Sequence, residues 1–342
     1  MSIVLAHGSG GEKTMELLRT LILSKVPEKL YKTPEGFGLD ILDDGACIKV
    51  GNVHIVVSID SYTVNPIFFP GGDLGKLAAS GTLNDVVAMG AKPVAVLDAV
   101  IIEEGTDMDT VDKILRSFIE VIKEEDVALI GGDLKVMPRG QLDKIVITVA
   151  GIGITEKPII DKNLKSGDKI IVTGPIAEHG VTIMALQQGI DAEKYGLKSD
   201  CRCLVKPILR LVEKYGEHIH AMRDPTRGGL ATVLNEWARE SGKVIIVDEK
   251  NIPIRFEVRK FCEIAGIDPM YLACEGVMVI SADPEVAENI VEDLRNMGFE
   301  YASIIGEVRE SEKYRGMVIC RTSSSGLRIV EPLRGVLVPR IC

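Results

Sequence analysis

The sequence predicts an α+β protein (α and β mixed) made of two successive domains. Three observations carry that reading. The chain has 342 residues, enough for two ordinary hydrophobic cores. Strand-like and helical runs cluster in two successive halves instead of alternating as a strict strand–helix–strand repeat. Between the halves, residues 156–167 form a charged stretch with Pro158, Asn163 and Gly167, the composition of a linker. The expected units are residues 1–155, residues 168–308, and a C-terminal segment and tail, residues 309–342.

The elements follow in order. Short runs rich in β-branched residues predict strands at 53–59, 94–102, 144–150, 169–173, 244–247 and 277–280. Helical spacing predicts a helix over 107–125, with Met108, Val111, Leu115, Phe118 and Ile122 on one face. Another covers 284–297, with Asp283 as N-cap, Pro284 at the first helical position and Gly298 past the end. Further helices are expected at 74–89, 180–188, 203–215, 229–241 and 255–264. After Ser323-Ser324-Ser325-Gly326, the last sixteen residues would reach about 50 Å if extended.

Composition excludes several classes. The chain is 46% hydrophobic and 26% charged, as a globular protein is. A net charge of −10 argues against a nucleic-acid partner. No apolar run approaches the roughly 20 residues of a membrane span. Met1-Ser2-Ile3-Val4-Leu5 has no basic region of a secretory signal, so a cytoplasmic location is expected. The seven cysteines form no dense disulfide framework. Cys201, Cys203, His218 and His220 are zinc-ligand types, but their spacings are not the common ones.

The chemistry lies in aspartates at strand ends and turns. Asp43-Asp44-Gly45-Ala46 precedes a strand, and Asp60 follows Ile55–Ile59. Asn84-Asp85 sits in an otherwise apolar helix. Gly131-Gly132-Asp133 is read as a strand end, and Asp224-Pro225-Thr226-Arg227-Gly228-Gly229 as a helix start. Carboxylates converging from several strand ends suit Mg²⁺ and nucleotide phosphates. The two glycines at a helix start would let an anion approach the backbone, with Arg227 adding a charged fork. Each motif alone also reads as an ordinary turn. Asn84-Asp85 is the hardest to explain that way, because a buried charge needs a partner. His7-Gly8-Ser9-Gly10-Gly11-Glu12-Lys13-Thr14 is not a P-loop, since Glu12 stands where a glycine should precede the lysine. A glycine-rich lid over phosphates is the remaining reading. Cys342, the final residue, is either an incidental cysteine on a frayed end or a covalent carrier on a mobile one.

Taken together, these motifs resemble the aminoimidazole ribonucleotide synthase (PurM-like) superfamily. With His7-Gly8-Ser9-Gly10-Gly11 and the terminal Pro339-Arg340-Ile341-Cys342, the chain resembles the HypE family of hydrogenase maturation factors over essentially its whole length. The resemblance implies a two-domain PurM-like fold. Its N-terminal, ATP-binding domain would pair sheets with a second copy into a shared β-barrel, giving a homodimer, and a flexible tail would follow the C-terminal domain. It implies ATP and Mg²⁺ as cofactors. Cys342 would receive a carbamoyl group from a HypF-type carbamoyltransferase, and the S-carboxamide would be dehydrated to S-cyanate. The cyanide would pass to iron in a HypC–HypD complex, for nickel–iron hydrogenase.

By the same resemblance, Cys342, Lys135 and Glu275 are the expected catalytic residues, with His7 a weaker candidate base. Asp43, Asp44, Asp60, Asn84, Asp85, Asp133, Asp224, Arg227, Gly228 and Gly229 are expected at the nucleotide, and Asp44, Asp60, Asp85 and Asp133 at the metal. Lys135 is alternatively a surface lysine and Glu275 a turn residue. Two rival readings stand beside this one. One is another enzyme of the superfamily, such as an aminoimidazole ribonucleotide synthase or a thiamine-monophosphate kinase, none of which needs a terminal cysteine. The other is a nucleotide-binding scaffold without turnover.

Overall fold

The computed structural model describes residues 2–8, 10–333, 335, 338 and 340–342. Ser9 and Pro339, named in the motifs above, lie outside the described residues. The N-terminal half runs α1 (Gly11–Leu18), β1 (Ala46–Val50), β2 (Val53–Tyr62), a small hairpin β3 (Phe68–Phe69) and β4 (Gly72–Asp73), then α2 (Leu74–Ala88), β5 (Lys92–Glu103), α3 (Met108–Glu124), β6 (Ala128–Met137) and β7 (Ile145–Thr155). Its five-stranded sheet has the order β1-β2-β7-β5-β6. Only the β5–β6 pair is parallel.

The C-terminal half runs β8 (Lys169–Val172), α4 (Glu178–Gln187), α5 (Val205–Tyr215), β9 (Ile219–Arg223), α6 (Gly229–Ser241), β10 (Val244–Asp248), α7 (Phe256–Ala265), β11 (Val279–Ala282), α8 (Pro284–Asn296), β12 (Ser303–Arg309), β13 (Val318–Arg321) and β14 (Leu327–Val330). These strands form a seven-stranded sheet, β14-β13-β10-β12-β8-β11-β9.

Local chemistry explains the elements that place the site. In β7, buried residues alternate with half-buried ones, the period-two pattern of a strand covered on one face. Helix α2 is buried almost all round, so it belongs to the core and shows no polar face. Asp73 caps it, accepting from Gly75 N at 2.8 Å and Lys76 N at 3.0 Å. Gly75 is required there, because a Cβ would stand 1.9 Å from the Ile114 carbonyl oxygen of α3. On α3 the buried face is Val111, Ile114, Phe118, Val121 and Ile122. Met108, expected on that face, is exposed.

The structure corrects four expectations. Residue 309 is not the edge of the second unit, because β13 and β14 beyond it complete the sheet. The segment after the last strand therefore begins at Glu331, and its twelve residues would reach about 40 Å at most if extended. Gly131-Gly132-Asp133 does not end a strand but lies in the middle of β6. Asp283 occupies the N-cap position of α8, yet its carboxylate accepts from His218 Nδ1 at 2.9 Å in place of a helix N–H.

Candidate active site

Three carboxylates converge where the two halves meet. Asp44 lies before β1, Asp85 on α2 and Asp224 just past β9; one ligand oxygen from each falls within 4.8 Å of the others. Asp60, at the far end of β2, lines the same cavity. Ser58 donates to Asp85 Oδ2 at 2.7 Å. Burial and the neighbouring carboxylates of Asp224, Asp60 and Asp44 push Asp85 well above the usual carboxylate range. Asp224 is raised for the same two reasons, and burial raises Asp44 to about 7 although Arg223 pulls it down.

Arg223, which directly precedes the Asp224 motif but is not among the expected site residues, holds this region together. Its Nε donates to Asp44 Oδ1 at 2.8 Å, one terminal nitrogen to Glu236 Oε2 at 2.9 Å and the other to the Leu42 carbonyl at 3.1 Å. Asp161, in the linker, lies 3.1 Å from the same guanidinium. The sequence signal is an arginine directly preceding the Asp224 motif. Nothing in the sequence says which acids it meets.

The tail enters the cleft beside this cluster. Val338 and Ile341 are buried, and Cys342 is half-buried. Asn65 N donates to the Arg340 carbonyl at 3.1 Å, Arg340 Nε to the Thr63 carbonyl at 2.9 Å, and Thr63 Oγ1 to the Cys342 carbonyl at 3.4 Å. Burial pushes the Cys342 thiol far up; Glu275 adds to the rise and Arg227 opposes it. Arg227 lines both the acidic cavity and the cavity beside the thiol, and lies 3.8 Å from Asp60. Glu275 is buried in the segment before β11, with Oε1 lacking a hydrogen-bond partner. Burial and Asp224 raise its carboxyl well above the usual range.

The N-terminal half matches the family model "AIR synthase related protein, N-terminal domain" over residues 42–155, and the C-terminal half its C-terminal counterpart over residues 165–319. A putative hydrogenase expression/formation protein of Methanocaldococcus jannaschii is 43% identical, with both chains covered completely. Carbamoyl dehydratase HypE of Escherichia coli is 36% identical, over 100% of this chain and 99% of its own. The chain belongs to the HypE carbamoyl dehydratase family. A HypE structure in complex with ATP superposes with a TM-score of 0.81 at 38% identity, over the full length of both chains. HypE from a HypE–HypF complex gives 0.84 at 36% identity, over 92% of this chain and 99% of that one. A thiamine monophosphate kinase of Aquifex aeolicus, at 17% identity and a TM-score of 0.63, shares the fold.

Against that HypE framework, the expected residues separate into two groups. Asp44, Asp60, Asp85, Asp224, Arg227, Glu275 and Cys342 gather in one cleft. Asp43 lines the acidic cavity as well, whereas Asn84, buried in α2, does not. Asp43 accepts from Asp44 N and Asp161 N, and Asn84 spends its amide on the Arg202 carbonyl and Leu204 N. Both brace backbone segments. Gly228 and Gly229 are explained by packing: a Cβ on Gly229 would meet the Leu272 carbonyl oxygen at 2.5 Å, and both residues have positive φ.

Asp133 and Lys135 are the clear correction. Asp60 pairs with Val149, Val149 with Asp98, and Asp98 with Gly132. Three strand spacings therefore separate Asp60 from this segment, about 14 Å across the sheet. Lys135 and Asp133 are exposed and ion-paired with each other at 3.1 Å. Within one chain they stand apart from the acidic cluster.

Three minor expectations also resolve. His7 Nδ1 accepts from Val4 N in its own turn. The N-terminal glycine run packs on the tail and on Arg227: Glu12 N reaches the Leu333 carbonyl at 3.4 Å, and Arg227 donates to the Gly8 carbonyl at 3.4 Å. The Cys–His set does not assemble, since His220 Nδ1 donates to Asp168 and its Nε2 meets the Lys165 amine at 2.7 Å.

The acidic cluster fits a divalent cation. Asp44 Oδ2 and Asp224 Oδ2 are buried without hydrogen-bond partners, and three mutually repelling carboxylates at this spacing favour a shared cation over three protons.

Proposed function

We propose that the chain converts a carboxamide carried on the sulfur of Cys342 into a thiocyanate, for hydrogenase maturation. The observation that supports this most is the shared wall: Arg227 faces both the acidic cavity and the tail thiol, with Glu275 the strongest charge raising that thiol. A substrate on Cys342 would thus stand between a carboxylate and an anion-binding guanidinium.

The reaction balances as thiocarboxamide plus ATP giving thiocyanate, ADP and phosphate. The carbon–sulfur bond to Cys342 is kept, the amide oxygen leaves on phosphate, and the nitrogen gives up its two protons. ATP would supply the phosphoryl group that makes oxygen a leaving group, and Mg²⁺ held by Asp44, Asp85 and Asp224 would spread the phosphate charge. Glu275, buried beside the thiol with Oε1 unpartnered, would accept a proton from the amide nitrogen, and the burial that raises its pKa makes its carboxylate a stronger base. Arg227, partly exposed beside Asp60, offers its fork to phosphoryl oxygens.

A HypF-type carbamoyltransferase loads Cys342, and a HypC–HypD complex receives the cyanide. A solved HypE–HypF complex supports the first of these. A second copy of the chain covers β6, whose Leu129, Ile130, Leu134 and Val136 are exposed. That pairing would carry Asp133 and Lys135 away from bulk solvent.

The experiment is the mass of the C-terminal peptide after incubation with a HypF-type carbamoyl donor system, with and without Mg·ATP. Gain of one carbamoyl group on Cys342, then loss of one water only with Mg·ATP, is the expected result. An unmodified Cys342 beside intact ATP binding overturns the reading in favour of another superfamily activity.

A further inference from the structure

His179 is fully buried in the first turn of α4, and both ring nitrogens are engaged. Nε2 lies 2.7 Å from the carbonyl oxygen of Ile341, the residue before the terminal cysteine. Nδ1 lies 2.8 Å from Ser199 Oγ, which accepts from Cys201 N at 3.0 Å. The carbonyl can only accept, so Nε2 carries the proton, Nδ1 accepts, and Ser199 donates. The relay runs in one direction and fixes the tautomer. The ring is also held edge-on against Phe69 of the β3–β4 hairpin, with centroids 5.3 Å apart. Asp200 Oδ1 accepts from His179 N at 3.1 Å, and its Oδ2 accepts from Glu275 N and Gly276 N at 3.1 and 3.0 Å. One carboxylate thus ties the histidine to the segment bearing Glu275.

We infer that His179 is the latch for the C-terminal tail, a positioning residue that sets where the Cys342 sulfur stands relative to Glu275. Among the described residues, the other backbone hydrogen bonds to the last three residues of the tail come from Thr63 and Asn65 in the N-terminal half. His179 supplies the contact from the C-terminal half, so tail docking reads the closure of one half on the other. The carbonyl it meets is one residue from the thiol, and the donor is a rigid, buried ring. When the tail leaves, Nε2–H of this buried ring loses its acceptor, which favours the docked state.

The inference rests on the reading of Cys342 as a carrier, but its test does not. The alkylation rate of Cys342 by iodoacetamide, read as the mass of the C-terminal peptide, measures how often the tail is out whether or not the thiol ever carries a carbamoyl group. His179→Phe keeps the ring against Phe69 and removes the donor, so Cys342 should react on the order of tenfold faster. His179→Gln places an amide donor where Nε2 was and should return the rate to near that of the wild type. His179→Asn, too short to reach the carbonyl, should not. ATP affinity should be unchanged in the Gln variant, and turnover of a preloaded thiocarboxamide should follow tail protection across the series. A folded His179→Phe with wild-type alkylation overturns the latch. If that variant fails to fold, Ser199→Ala decides the matter: it frees Nδ1 to take the proton and should raise Cys342 reactivity, and an unchanged rate overturns the inference. Tail protection that follows the series while Cys342 is never carbamoylated would keep the latch and remove the carrier.

Discussion

Arg223 Nε and Asp44 Oδ1 are 2.8 Å apart, and that bond joins the end of the C-terminal half's edge strand to the turn before β1. The same guanidinium meets Asp161 of the linker and Glu236 of α6. One buried cation thus holds acids from three separate parts of the chain, at the place where Asp44, Asp85 and Asp224 converge.

Removing that cation should be costly. Arg223→Met would leave Asp44, Asp161 and Glu236 without their counter-charge, which typically costs about 3–5 kcal/mol when one partner of a buried ion pair is lost. Denaturant unfolding should show this at neutral pH. The loss should shrink at acidic pH, as the stranded carboxylates take protons. Unchanged stability would show that the acids are neutral in the wild type.

The acidic cluster behaves oppositely. Asp224→Asn removes one of three carboxylates whose pKa values are raised by burial and mutual repulsion. The variant should be no less stable than the wild type without divalent ions. It should bind Mg²⁺ roughly tenfold or more weakly, because charge count at the site sets affinity. Thermal melts with and without Mg²⁺ check both halves of the statement; a wild-type Mg²⁺ response in the variant would place the cation elsewhere.

Strand β6 gives a prediction about assembly. It is an edge strand with a row of exposed apolar side chains, a surface that an isolated monomer would leave open to pairing. Leu134→Asp puts a charge at a position 60% exposed in one chain, so the monomer should fold unchanged. Sedimentation should show half the wild-type mass. A variant with wild-type mass would mean that β6 is not the dimer surface.

His179 sets a pH signature. Burial lowers it from an ordinary value of 6.5 to about 4. Between those values the unfolded chain binds a proton that the folded chain refuses, so this residue's contribution to stability is complete above pH 6.5 and falls as the pH drops toward 4. The span corresponds to roughly 3 kcal/mol. The stability difference between the wild type and His179→Gln should therefore narrow steadily from pH 7 to 4.5 in urea titrations. A constant difference would mean that the imidazole titrates normally.

Much of this is legible in the amino-acid sequence, for reasons that differ by element. Apolar periodicity marks α2 and α3, and the cost of burying a carboxylate in an apolar helix singles out Asp85. The extent of β6 is hidden, because Gly131-Gly132 mimics a turn and the strand's apolar side chains face outward in one chain. Strands β13 and β14 are hidden because Ser323-Ser324-Ser325-Gly326 has the composition of a linker, whereas it is the turn between two paired strands. The contacts of Arg223 and His179 are hidden for another reason. Their partners Asp44 and Ile341 lie more than 160 residues away, and no local pattern carries a contact of that range.

Glu275 is the sharpest test of the chemistry. It is 2% exposed, its Oε1 has no hydrogen-bond partner, and its backbone N–H is fixed by Asp200. A buried carboxyl with a free oxygen is expensive unless something else uses it. Burial, Asp224 and Asp200 all raise its pKa, and only Arg227 among the leading influences lowers it. Glu275→Gln keeps the shape and the Asp200 bond while removing proton exchange, and relieves repulsion from Asp224. Stability should hold or rise. Dehydration of a thiocarboxamide loaded on Cys342 should fall by about 10²–10⁴, the usual contribution of a positioned acid–base group. ATP binding and loading by the carbamoyl donor should persist, so the carboxamide accumulates on the C-terminal peptide. A variant that still forms thiocyanate at the wild-type rate would move the proton-accepting role to another group in the cleft.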